Sequence, residues 1–99
     1  MTINSQEIYK LLNRIPKGKV TTYKEIAKQL NSNGYQAIGK IISQNPNAPQ
    51  TPCHRVVKID GNISGYAFGV DKKISLLKNE GIEVENNKVV NFEDKLFKF

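Results

Sequence analysis

The sequence predicts a single α/β domain, mainly helical, built on a winged helix-turn-helix core with a short β-hairpin. Three observations predict it. Its 99 residues suffice for one hydrophobic core and are too few for two. Two short helical patterns, about residues 22–30 and 36–44, flank a four-residue break that contains Gly34. An Asp60-Gly61 pair stands between two short extended runs, 55–59 and 62–65.

Each element has its own signal. Ile8, Leu11, Leu12 and Ile15 recur at i, i+3, i+4, i+7, one face of an amphipathic helix, with Asn4 and Glu7 placed as a capping box. Pro16 and Gly18 stop it, and residues 17–21 read as a loop or short wing. Thr22 with Glu25 then opens a helix whose Tyr23, Ile26, Ala27 and Leu30 share a face. After the break at 31–34, residues 36–44 form a third helix, with Ala37, Ile38, Ile41 and Ile42 on its apolar side. The pair reads as a helix-turn-helix over about 22–44, although the pattern alone also fits an ordinary helical hairpin.

Residues 45–52 hold three of the four prolines and form a loop. Residues 55–65 are expected to be a β-hairpin on a type I′ turn at Asp60-Gly61. Asp71 is expected to cap a helix over 72–80, with Ile74, Leu76 and Leu77 apolar, that Gly81 ends. Residues 82–99 alternate weakly around Asn86-Asn87, and 86–99 are expected to be a marginal hairpin and a flexible tail. The domain is taken as 1–99.

Composition narrows the function. Hydrophobic residues make up 38% and charged residues 24%, a globular balance rather than a disordered polycation. No stretch is long and apolar enough to span a membrane, and no leader pattern follows Met1, so a cytoplasmic protein without a membrane partner is expected. The lone Cys53 excludes an internal disulfide, and with only one histidine no structural metal site is expected. The net charge of +6 lies entirely in residues 1–60, where nine cations face three acids; residues 61–99 balance six against six. A polyanion partner is expected on that side.

The sharpest chemical feature is Pro52-Cys53-His54-Arg55-Val56, a thiol, an imidazole and a guanidinium in succession. A thiolate is a soft nucleophile, and adjacent cations or a base make it accessible near neutral pH. Taken singly, Cys53 reads as a small buried hydrophobe, His54 as a hydrogen-bonded residue and Arg55 as a solvated charge or phosphate contact. On an extended strand Cys53 and His54 would also face apart, so a turn is needed to bring them together. What argues against the single-residue readings is the cluster's coincidence with a basic helix-turn-helix.

That run, after Asn45-Pro46 and before Ser64-Gly65-Tyr66 and residues 76–81 (Leu-Leu-Lys-Asn-Glu-Gly), resembles the active-site domain of the O6-alkylguanine-DNA alkyltransferases. Residues 15–23 (Ile-Pro-Lys-Gly-Lys-Val-Thr-Thr-Tyr) and Ala37-Ile38-Gly39 extend the resemblance over about 8–85. It implies a repair protein that flips a damaged guanine from duplex DNA and moves the alkyl group irreversibly onto its own cysteine. Carried over by position, Cys53 is the acceptor, His54 its base through a water, Glu80 the group that orients the histidine, and Asn45 the residue that holds the turn. Tyr23 presses on the phosphate of the flipped nucleotide and hydrogen-bonds the guanine. Tyr66, with Ala67 and Phe68, walls the pocket, and the carbonyls of Cys53 and Val56 receive the exocyclic amine. Tyr23, Gln36, Ala37, Gly39, Lys40 and Arg55 meet the DNA. No cofactor or metal is implied, and a monomer is expected to act on double-stranded DNA carrying O6-alkylguanine.

Three departures from the family pattern matter. The 99 residues are expected to hold the active-site domain without the N-terminal domain many members carry. Gln36 stands where the family usually has an arginine that fills the vacated base stack, which removes charge and stacking area together. Phe68 stands where some members have glycine and is expected to narrow the alkyl pocket if it faces inward. Two other readings share the motif: a lesion-binding protein with an idle cysteine, and a winged-helix regulator of undamaged DNA.

Overall fold

A computed structural model describes residues 4–45, 50–66 and 68–99. Helix α1 (Ser5–Arg14) is capped by Asn4, whose side chain accepts the Gln6 N–H, and buries Ile8, Leu11 and Leu12. Strand β1 (Thr21–Thr22) runs directly into α2 (Tyr23–Gln29), where the Thr22 hydroxyl accepts the Glu25 N–H at 3.1 Å. Asn31, at φ 54°, turns the chain, and α3 (Tyr35–Ser43) packs across α1 and α2 through Ile38 and Ile42. The helix-turn-helix is therefore present. Ala37, expected on the inner face, is exposed, because burial at 38 and 42 turns position 37 outward.

A single 3₁₀ turn (Cys53–Arg55) leads into β2 (Val56–Val57), and here the expected hairpin fails. β2 pairs in parallel with β1, Thr21 opposite Val56 and Thr22 opposite Val57. The turn closes one residue earlier, with Gly61 N–H donating to Lys58 O at 2.9 Å, so that Ile59 and Asp60 are its central residues and Gly61 (φ 87°) follows them, whereas a type I′ turn at Asp60-Gly61 needs positive φ at both. Val56 and Val57 are both fully buried, so β2 lies between two apolar clusters and has no solvated face for a hairpin to keep. The I′ geometry falls instead at Asn86 (φ 51°) and Asn87 (φ 61°), which join β3 (Val84–Glu85) to β4 (Lys88–Val89). Asn62 bridges to Lys88, so the segment after Gly61 belongs with β4.

Helix α4 (Val70–Asn79) starts earlier than expected: Gly69, at φ 96°, is its N-cap, and Asp71 lies in its first turn, where it faces the positive end of the helix dipole. At the other end Gly81 (φ 86°) closes a Schellman motif, with Ile82 N–H on Leu77 O and Gly81 N–H on Lys78 O, both at 3.0 Å. That leaves Glu80 as C-cap. The expected flexible tail is seated. After α5 (Phe92–Lys95), Val20 N–H donates to Lys95 O and Phe97 N–H to Val20 O, covering the open edge beside β1. Phe97 and Phe99 pack on the first cluster, with the Arg14 guanidinium 5.2 Å from the Phe99 ring centre.

Candidate active site

The site is built where the 3₁₀ turn meets the C-terminus of α4. Three residues per turn set successive side chains about 120° apart, so Cys53, His54 and Arg55 can each reach a different neighbour, as an extended strand would not allow. Asn45 anchors the turn from the far side of the loop, its Nδ2 donating to Thr51 O at 2.7 Å while Thr51 O also accepts the Cys53 N–H at 2.8 Å.

Glu80 is a carboxylate at the negative end of a helix, an unfavourable place that an ion pair must offset. Arg55 does so with two hydrogen bonds, Nε to Oε1 at 2.9 Å and Nη2 to Oε2 at 2.7 Å, and its Nη1 donates to Ile15 O at 2.7 Å. Burial pushes the Glu80 carboxyl up, but the bonds from Arg55 and His54 outweigh it and hold it below its ordinary value. His54, 2% exposed, places Nε2 3.0 Å from Glu80 Oε2. A carboxylate there selects the tautomer with hydrogen on Nε2 and leaves Nδ1 an unprotonated acceptor. Among the described residues that Nδ1 is buried with no hydrogen-bond partner. Burial lowers the His54 pKa, with the positive charges of Arg55 and Lys73 adding to it and Glu80 opposing, so the ring is neutral at pH 7.

Cys53 opens onto a cleft of about 360 Å³ walled by Tyr23, Gly39, Asn45, Ser64 and Tyr66. The Tyr66 hydroxyl shares a hydrogen bond with Cys53, and burial together with the cysteine pushes the phenol up to about 12. Burial likewise raises Tyr23, against a hydrogen bond from Ser64. Both phenols therefore stay protonated and can donate into the cleft.

The structure brings Cys53, His54, Glu80, Asn45, Tyr23 and Tyr66 together around the turn and the cleft. Other expectations change. Arg55 turns inward: three of its guanidinium donors are engaged inside the molecule, on Glu80 and Ile15. Phe68 neither enters the core nor lines the Cys53 cleft; it is 62% exposed, its ring edge-on to Tyr66 at 5.5 Å, so it braces a wall rather than narrowing the pocket. Val56 presents its carbonyl to Lys73 Nζ at 2.8 Å. Ala67 lies outside the described residues. Gln36, Ala37 and Lys40 are exposed on α3, whereas Gly39 faces the cleft, where a Cβ would sit 4.0 Å from Tyr23 Cε1.

Two residues escaped the sequence reading. Lys73 is 1% exposed, and Nζ ties Val56 O to Gly65 O (3.3 Å), joining the strand after Cys53 to the loop before Tyr66. Burial lowers its pKa to about 8, with the Cys53 charge opposing. Its place on the helix face of Ile74 and Leu77 was a faint clue, since a lysine there usually snorkels outward. Ser64 takes φ 65°, rare for a side-chain-bearing residue, held by Asn62 Oδ1, which accepts its N–H at 2.9 Å. Such strain at a cleft has no signature in sequence.

A helix-turn-helix domain carrying a buried Cys–His–Glu constellation beside an open cleft has the frame of a DNA-docking protein and the groups of a nucleophilic site. The sequence profile described as 6-O-methylguanine DNA methyltransferase, DNA binding domain, matches residues 4–82, and the chain belongs to that family. It is 48% identical over 82 residues to a methylated-DNA–protein-cysteine methyltransferase of Candida glabrata, covering 82% of this chain and 40% of that protein. Among solved structures it resembles Mycobacterium tuberculosis OGT in complex with DNA (TM-score 0.75, 37% identity, 81% of this chain and 50% of that one). It also resembles S. pombe Atl1 in complex with DNA containing O6-carboxymethylguanine (TM-score 0.82, 25% identity, 100% of both chains). The chain spans half or less of the curated relatives it matches.

Proposed function

We propose that this domain repairs O6-alkylguanine in double-stranded DNA by moving the alkyl group, a methyl in the simplest case, onto Cys53. The observation that carries the reading is the buried Nδ1 of His54, with Nε2 fixed on Glu80 and Cys53 next in the chain at the mouth of a cleft. His54 takes the thiol proton at Nδ1, through a water, and Glu80 stabilises the imidazolium. The sulfur attacks the alkyl carbon, the C–S bond forms as the C–O6 bond breaks, and the electron pair passes to the purine, which takes up one proton, balancing the one His54 removed from the thiol, to become guanine. Tyr23, kept protonated by burial, donates to the purine as charge develops. No cofactor enters the balance. A thioether has no leaving group that water displaces, so each molecule acts once.

A base stacked in a duplex is out of reach of a recessed thiol, so the guanine must be extruded. α3 enters the groove with Gln36, Ala37 and Lys40 outermost. The match over the whole length of Atl1, a protein solved in complex with damaged DNA, supports one alternative, lesion binding with Cys53 idle. Intact-protein mass spectrometry after incubation with a duplex holding O6-methylguanine decides. The expected result is one added methyl, mapped to the Cys53 peptide and absent in Cys53→Ala; tight lesion binding with no mass gain selects the alternative.

A further inference from the structure

Tyr23 walls two hollows, the Cys53 cleft and a second one of about 320 Å³ formed with Lys24, Tyr35, Lys58 and Ile59. Its floor is apolar and open: Tyr35 is 46% and Ile59 63% exposed, two of the four large hydrophobic side chains exposed among the described residues. Hydrophobic surface at the start of a recognition helix is costly unless something covers it. Its backbone is also held in place. Ser32 N–H donates to Ala27 O at 2.9 Å, Gly34 N–H to Ser32 Oγ at 3.0 Å and Tyr35 N–H to Asn33 O at 2.9 Å, so Tyr35 is presented by a hydrogen-bonded turn. On the opposite rim, the Lys58 N–H on Asn62 O at 2.8 Å fixes the turn that carries Ile59. The ammonium groups of Lys24 and Lys58 lie outside the ion pairs of the described residues; Asp60 is the acid whose field reaches Lys58.

We propose that this hollow is a second nucleotide seat, occupied by the sugar–phosphate unit that adjoins the extruded nucleotide on the lesion strand. The inference rests on the DNA-repair reading and extends it to residues that reading does not use. A nucleic acid backbone repeats an apolar deoxyribose between two phosphates, which is the complement of an apolar floor between two lysines. A nucleotide whose base passes Tyr23 into the Cys53 cleft leaves its neighbour on the other side of Tyr23. Gln36 brings no cation to the helix start, so Lys24, Lys58 and the Tyr35 ring supply the charge and contact area that hold the strand.

The test measures Kd for a lesion duplex by fluorescence anisotropy over a range of salt, and the rate of Cys53 alkylation by free O6-methylguanine base. The proteins are the parent, Tyr35→Ala, Tyr35→Phe, Ile59→Ala and the pair Lys24→Gln/Lys58→Gln. The expected result is about tenfold weaker duplex binding for the two alanine variants, retention by Tyr35→Phe, and a slope of log K against log salt shallower by about 1.8 for the lysine pair, at roughly 0.9 per phosphate. The free-base reaction stays at the parent rate. Unchanged affinity and slope in the alanine and lysine variants overturn the proposal. So does a Tyr35→Ala effect that vanishes when the adjoining nucleotide is abasic, since then a base and not a sugar is seated. If one alanine variant does not fold, the other and the lysine pair decide. A parent that binds the duplex without becoming alkylated fails the transfer reading instead, and the same affinities still decide this one.

Discussion

Lys73→Met isolates what a buried ammonium does to this domain. The native amine is 1% exposed with a pKa lowered from 10.5 to about 8, burial being the main cause. Between those values the unfolded chain holds a proton that the native state has released, so unfolding free energy rises with pH across the window. At 1.36 kcal/mol per unit the full effect is about 3 kcal/mol, a cost present below pH 8 and relieved as pH climbs toward 10.5. Methionine has a similar length and no charge, so the variant lacks this step. At any single pH the comparison mixes opposing contributions, because the variant also leaves Val56 O and Gly65 O without the Nζ donor, at about 1–3 kcal/mol each. The pH dependence removes that offset. Urea denaturation of both proteins at pH 7, 8, 9 and 10 should show the parent gaining about 2 to 3 kcal/mol on the variant from the lowest pH to the highest. A difference that stays constant would refute the reasoning: the amine would then be charged throughout, or neutral throughout. The functional counterpart is that Nζ ties the strand after Cys53 to the loop before Tyr66, so at pH 7 Lys73→Met should transfer alkyl groups more slowly even where its stability matches the parent. Single-turnover rates on a lesion duplex measure that.

Glu80→Gln should lower stability by about 3 kcal/mol, because it strands the Arg55 guanidinium in a half-buried site, and should slow transfer because His54 loses the group that sets its tautomer; thermal unfolding and single-turnover rates read the two effects separately. The transfer rate should fall only below pH 6.5 on the acid side, since the lowered pKa keeps His54 an unprotonated base down to that point, and a loss of rate already complete at pH 7 would contradict a buried neutral imidazole. Folding stability shifts in the same direction, present in full above pH 6.5 and declining as the unfolded chain takes up a proton that native His54 resists. Gln36→Arg should tighten binding to lesion duplex several-fold while leaving the free-base reaction unaltered; equal affinity in an anisotropy titration would show that position 36 does not limit extrusion.

Local signals in the chain were sufficient for its helices and for the linear part of the site. Caps at Asn4 and Thr22, the break at 31–34 and the stop at Gly81 act within a few residues, so α1, α2, α3 and the end of α4 are legible from spacing alone. Asn45, Cys53, His54 and Glu80 were likewise legible, because their motif carries a family resemblance that composition does not. Pairing was not legible. Asp60-Gly61 and Asn86-Asn87 both look like hairpin turns, and what decides between them is which strand is buried on both sides: β2 joins β1 in parallel across 35 positions of sequence, leaving the antiparallel hairpin to β3 and β4. The inward turn of Arg55, the burial of Lys73 and the left-handed Ser64 have the same origin. Each is locally unfavourable and is tied to a partner from elsewhere, Glu80 for Arg55, two carbonyls on other elements for Lys73, and Tyr23, besides the near neighbour Asn62, for Ser64. Short-range propensity therefore set the elements of this protein, and long-range compensation, which exists only once the elements have packed, set the chemistry of its cleft.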